Sequence, residues 1–166
     1  MSARILSVLS LLLVLPLLVV QPKQPSAAAE ADVIKVVYHA DFADPRRFSA
    51  MLTSINNMVT YYQNELLDYD VRIVFVAHGI RFLTDDALAD TPFAADAELE
   101  ERRTNLKGRL QALNSVQHVG LELCDITRNS IGLPKDSLYK NVETVPSGVV
   151  RIAELEHDGF AYIKIE

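Results

Sequence analysis

Short β-branched runs alternate along this chain with stretches whose apolar side chains recur every three or four residues, and that alternation restricts the fold more than any other feature. The first run, VIKVVYH from Val33 to His39, leads into the polar loop HADFADP. β-Branched residues suit a pleated, extended backbone, so this run is predicted as a strand. Phe48, Leu52, Ile55, Val59, Tyr62 and Leu66 then describe one apolar stripe of a helix that opens near Pro45 and ends near Leu67. A second strand covers Val71 to Ala77, where near-continuous hydrophobicity predicts burial on both faces before the chain reaches His78 and Gly79.

The Asp- and Ala-rich segment from Thr84 to Asp96 is predicted as a solvated loop or short helix, followed by a charged helix from Ala97 to Leu113 with Leu99, Leu106, Leu110 and Leu113 on one side. Val119, Leu121 and Leu123 alternate with polar neighbours as a third strand ending at Cys124, after which DITRNSIG reads as a short helical turn. Val142 to Val145 is a fourth strand. Ser147 and Gly148 open a last helix whose apolar side is predicted as Val149, Ile152, Ala153 and Leu155, and Asp158-Gly159 turns the chain into a final strand, FAYIKI. The order predicts an α/β domain of about five mostly parallel strands with helices on both faces.

In open parallel sheets, sites gather beyond the carboxyl ends of the strands, where loops leave room and helix N-termini present free N–H groups. His39, His78 and Cys124 fall there by this reading, at the ends of the first three strands, whereas His118 precedes its strand and His157 lies in the last helix. Cys124 is the only cysteine. Chemistry at it requires the thiolate, which a following helical turn favours and the adjacent Asp125 opposes by like charge. The alternative is a small hydrophobe packed at a strand end.

His39 and His78 are candidates to orient the thiol or to share a ligand with it, against the simpler role of loop histidines that cap backbone groups. Their spacing with one sulfur matches no recognised metal motif, so no metal is assigned. Ser147 and Gly148 form a helix opening suited to an anion or to an ordinary cap. Asp41 is a further candidate on the first loop. Asn56, beside the apolar stripe of the first helix, is expected either to bond a neighbour or to line an interface.

From VIKVVYH through the Asn56-Asn57 pair, VRIVFVAHG, Cys124 and the tail VETVPSGVVRIAELEHDGFAYIKI, the chain resembles the DsrE/DsrF-like family. The resemblance implies a YchN-like three-layer α/β sandwich, assembly into a homo-oligomer, and a cysteine at the end of the third strand that receives, holds and passes a persulfide sulfur without a cofactor. By it, Cys124 is the expected sulfur carrier, with a donor or acceptor protein as partner. The better-known members are cytoplasmic and include carriers for transfer RNA modification. This chain departs from them in its first residues, in a longer Thr84 to Asn114 segment and in the context LCDITRNSIGLP.

Those first residues carry Arg4, an apolar run of 16 residues from Ile5 to Val20 and an alanine cluster, the layout of a secretory signal peptide cleaved after Ala29. The run is shorter than the roughly 20 residues of a spanning helix. The expected organisation is a signal peptide over residues 1–29 and one domain over residues 30–166, periplasmic and without stable membrane insertion after cleavage. Loss of Arg4 and Lys23 leaves 14 basic against 22 acidic residues, a net charge of −8, which argues against a nucleic-acid partner. Two other functions fit the same residues. One is a non-catalytic module that binds a small ligand or metal, and the other is an oligomeric structural or interaction protein.

Overall fold

The computed structural model describes residues 33–166, so the expected signal peptide lies outside the described residues. Five strands, β1 (Ile34–Ala40), β2 (Tyr69–Phe75), β3 (Gly120–Cys124), β4 (Val142–Val145) and β5 (Ala161–Ile163), form one sheet in the order β4-β3-β2-β1-β5. Every pairing is parallel. Parallel neighbours need crossovers, and the helices α1 (Pro45–Asn64), α2 (Ala97–Ser115), α3 (Asp125–Ser130) and α4 (Gly148–His157) supply them, with a short 3-10 helix at Ala77–Phe82 after β2.

Asp44 caps α1 by accepting the N–H of Arg46 at 2.7 Å, with Pro45 pre-set for the first turn. Asp96 caps α2 through the N–H of Leu99 at 2.8 Å, and Glu98 and Glu100 in its first turn suit the positive helix start. These two helices cover one face of the sheet. Val36, Tyr38, Ile73, Phe75, Leu121 and Leu123 meet Phe48, Leu52, Ile55, Leu106 and Leu110 in the larger core.

Helix α4 covers the other face with a smaller core of Val37, Val74, Ile152, Leu155 and Phe160. Polar groups complete that layer. Glu122, 3% exposed, accepts from Arg72 Nη1 at 3.0 Å and from Arg151 Nε at 2.6 Å, so two guanidiniums compensate one buried carboxylate and tie α4 to β2 and β3.

Three expectations are corrected in detail. Helix α1 ends at Asn64, three residues early, and Leu66 leaves the apolar stripe at 92% exposure with φ +55. In α4, Val149 and Ala153 face solvent, because Gly148, Ile152 and Leu155 make the buried side. Strand β3 is covered on both faces, its polar Glu122 being buried in the ion cluster rather than solvated. Of the two forms expected for Thr84 to Asp96, the structure has the loop and no helix. Buried Arg81 donates to the carbonyls of Ala43 and Ala94, while Arg103 donates to the carbonyls of Arg81 and Thr84. Such donors replace the backbone hydrogen bonds that a loop lacks.

Candidate functional site

The chain leaves β3 at Cys124 and enters α3 at once, so Cys124 is the N-cap residue of α3, with extended backbone (φ −60, ψ 116). On the facing side, α4 starts at Gly148 against the same residue. A β-carbon on Gly148 would lie 3.0 Å from Cys124 Cβ and 2.6 Å from Val76 Cγ2, contacts that a side chain does not tolerate. Glycine here lets a helix start press directly onto the cysteine.

Cys124 is consequently buried, at 4% exposure. Burial pushes its pKa up, but the N–H groups of Gly148, Thr127 and Ile126 and the hydroxyl of Thr127 act on the sulfur as donors and bring it net below the ordinary thiol value. None closes to a short side-chain cap hydrogen bond with the neutral thiol. The groups that favour the thiolate over the thiol thus come from two separate segments, the first turn of α3 and the start of α4.

Asp125 does not oppose this as the sequence suggested. Its carboxylate accepts from Arg128 Nε at 2.7 Å and lies 3.8 Å from Lys135 Nζ, and the guanidinium of Arg128 holds its pKa below the usual carboxylate range. The negative charge beside the sulfur is thus locally compensated.

The expected grouping of His39, His78 and Cys124 does not form. His39 is in register with Val74, and Val74 with Glu122, so β2 stands between His39 and the cysteine strand, a lateral separation of about 10 Å. His39 Nδ1 lies 3.0 Å from the Tyr162 hydroxyl, and its Nε2 is 3.9 Å from Asp41. Burial lowers the His39 pKa, with Asp41 opposing the shift. Asp41 accepts from Lys164 Nζ at 2.9 Å and belongs to this second group at the β1–β5 edge.

His78 sits in the 3-10 helix, its ring edge-on to Phe93 with centroids 5.4 Å apart. Asn56 is exposed and accepts from Gln117 Nε2 at 3.1 Å. Because Gln117 precedes β3, Asn56 lies at the opposite edge of the sheet from the thiol. Ser147 caps α4 through the N–H of Val150 at 3.5 Å, and Gly148 is the residue of this pair that meets the sulfur. Among the described residues, no three of His, Cys, Asp and Glu gather as a metal-ligand set.

Sequence reasoning missed Thr127, which is 7% exposed and accepts the N–H of Ala77 at 3.0 Å. It stands three residues after the N-cap, the position from which a capping-box side chain reaches back, and that spacing was the available signal. Backbone donors such as Ile126 N–H carry no residue signature at all.

An all-parallel α/β sandwich with a cysteine at the end of its third strand, under the starts of two helices, is the class that these observations define. The profile of the DsrE/DsrF-like family matches residues 32–165, and the chain belongs to that family. It is similar in fold to the protein of unknown function MTH1491 from Methanobacterium thermoautotrophicum, with a TM-score of 0.60 and 24% identity over 79% of this chain and 98% of that one. It is also similar to the YchN protein from E. coli, with a TM-score of 0.54 and 17% identity over 80% of this chain and 99% of that one. At these identities the likeness concerns fold alone. No curated protein matches the chain.

Proposed function

We propose that this domain handles sulfane sulfur, with Cys124 as the atom-carrying residue. The observation that carries the reading is the position of Cys124 at the end of β3 and N-cap of α3 with the start of α4 pressed against it, where a β-carbon on Gly148 would lie 3.0 Å from Cys124 Cβ. In the proposed cycle, the Cys124 thiolate attacks a terminal sulfur of a polysulfide, forming a Cys–S–S bond as the shortened polysulfide leaves with the electron pair. An acceptor thiolate then attacks the outer sulfur, and the Cys124 thiolate departs unchanged. No external oxidant or reductant enters either step.

A cysteine that is 4% exposed favours small donors over bulky ones. The side chains of Ile126 and of Val149 beside Gly148 are exposed and apolar, and they support assembly into a homo-oligomer or contact with a protein acceptor. Export by the 1–29 signal peptide places this chemistry in the periplasm within the same reading.

The 4% exposure also favours a second reading, in which Cys124 is a packing residue of a structural or interaction protein. Labelling with iodoacetamide separates the two. The carrier reading expects native Cys124 to be modified at neutral pH at a rate within reach of a free thiol, while the packing reading expects modification only after unfolding.

A further inference from the structure

We infer that protonation of His39 hands the carboxylate of Asp41 from the C-terminal tail to β1, which makes the docking of residues 164–166 a pH-sensitive latch. The inference goes beyond the carrier reading and does not rest on it. One oxygen of Asp41 stands between two claimants: its Oδ2 accepts from Lys164 Nζ at 2.9 Å and lies 3.9 Å from His39 Nε2. The first contact is a hydrogen bond and the second is too long to be one. His39 Nε2 is buried and has no hydrogen-bond partner among the described residues.

The other ring nitrogen decides where the proton of the neutral imidazole sits. Nδ1 is 3.0 Å from the Tyr162 hydroxyl. With Nδ1 accepting from that hydroxyl, the ring proton is on Nε2 and faces the carboxylate, whereas the reverse tautomer sets a lone pair against it. The second proton therefore enters at Nδ1, where the hydroxyl turns from donor to acceptor. The charge it brings makes Nε2–H a stronger claimant on Asp41 Oδ2 and repels Lys164. What Lys164 loses, the tail feels. Strand β5 is an edge strand of three residues paired with β1 alone. Ile163 and Ile165 pack on the larger core, Arg47 donates to the Ile165 carbonyl and lies 3.6 Å from Glu166, and Lys164 to Asp41 is the remaining tie.

The other charged groups of the elements around His39 are turned elsewhere. On β2 its neighbour is Val74, and Arg72 is bonded to Asp70 and Glu122. On α4, Arg151 pairs with Glu122 and Glu154, while Glu156 and His157 stand in the last turn, beyond which the Asp158 carbonyl accepts from Lys35 at the start of β1. Asp44 caps α1. Burial lowers the His39 pKa, Asp41 opposes the shift and Lys164 adds to it. Release of the tail removes the Lys164 repulsion and frees Asp41, so the released state binds the proton more tightly. Docking is therefore complete above the ordinary histidine value and weakens as pH falls through the docked midpoint.

NMR titration of the His39 ring and of the amides of residues 162–166 tests this in the folded protein, with His78, His118 and His157 as references. In the wild type the tail amides should follow the His39 midpoint, and their protection against hydrogen exchange should fall about three- to tenfold below it. Lys164→Met should tighten proton binding by His39 by about the same factor, because linkage is reciprocal. His39→Gln should leave the tail indifferent to pH between about 5 and about 8. Tail amides that stay put through the His39 titration overturn the proposal, as does an unchanged midpoint in Lys164→Met. Should His39→Gln fail to fold, wild type and Lys164→Met still decide. Neither readout involves Cys124, so loss of the carrier reading leaves the latch standing.

Discussion

Gly148 and Cys124 touch so closely that one methyl group is a sensitive probe of the site. In Gly148→Ala the new carbon meets Val76 Cγ2 at 2.6 Å, so the start of α4 must shift away from the sulfur. We expect urea unfolding to show a loss of about 1–3 kcal/mol, typical of overpacking, and the Cys124 titration to move to higher pH as the Gly148 donor retreats. The depressed pKa has its own consequence for stability. Between the folded midpoint and the ordinary thiol value, the unfolded chain binds more protons than the folded one, so stability rises with pH through that window and is lost as pH falls through the folded midpoint. Unfolding of wild type against Cys124→Ala across neutral to alkaline pH should show this increment in the wild type only. By contrast, His39→Ala should leave the Cys124 titration where it was, because the imidazole is engaged with Tyr162 and Asp41 across the sheet. A shifted midpoint in that variant would place His39 in the site after all. The position of Cys124 was legible from its place at the end of the alternating run Val119, Leu121 and Leu123. Its donor set was not, since three of the four donors are backbone groups and the fourth is an ordinary threonine.

Elements that depend on ion pairs rather than apolar spacing are where sequence and structure part. Strand β3 looked half-solvated because Glu122 interrupts its apolar residues, yet two arginines from other elements bury it. Helix α4 looked apolar along Val149 and Ala153, but the tie between Arg151 and Glu122 rotates that side outward. A partner distant in sequence leaves no periodic trace, whereas the stripe of α1 and the leucines of α2 were readable because they face one sheet along their whole length. Truncating Glu122 to Ala would leave Arg72 and Arg151 facing each other without their shared carboxylate, and we expect a cost of about 3–5 kcal/mol in urea unfolding. Likewise, Arg81→Ala removes the donor to the carbonyls of Ala43 and Ala94 and the partner of Asp96. Limited proteolysis of that variant should begin between Thr84 and Asp96, a segment that should resist cleavage in the wild type.

For the whole molecule, the strand order and parallel pairing place the β3–α3 junction and the start of α4 at one end of the sheet, and family membership joins that geometry to the DsrE/DsrF-like proteins. Among the described residues, no helix is long and apolar enough to cross a membrane. The proposed export expects a mature protein beginning near Glu30, read by N-terminal sequencing of the periplasmic fraction. The central claim is that the folded chain carries sulfur on Cys124. Intact-mass measurement of native wild type and Cys124→Ala, before and after exposure to polysulfide, tests it most directly. The account predicts a gain of one sulfur atom, about 32 Da, on wild type alone, reversed by a reductant that strips sulfane sulfur. No gain on folded wild type, with a gain after unfolding, would contradict it.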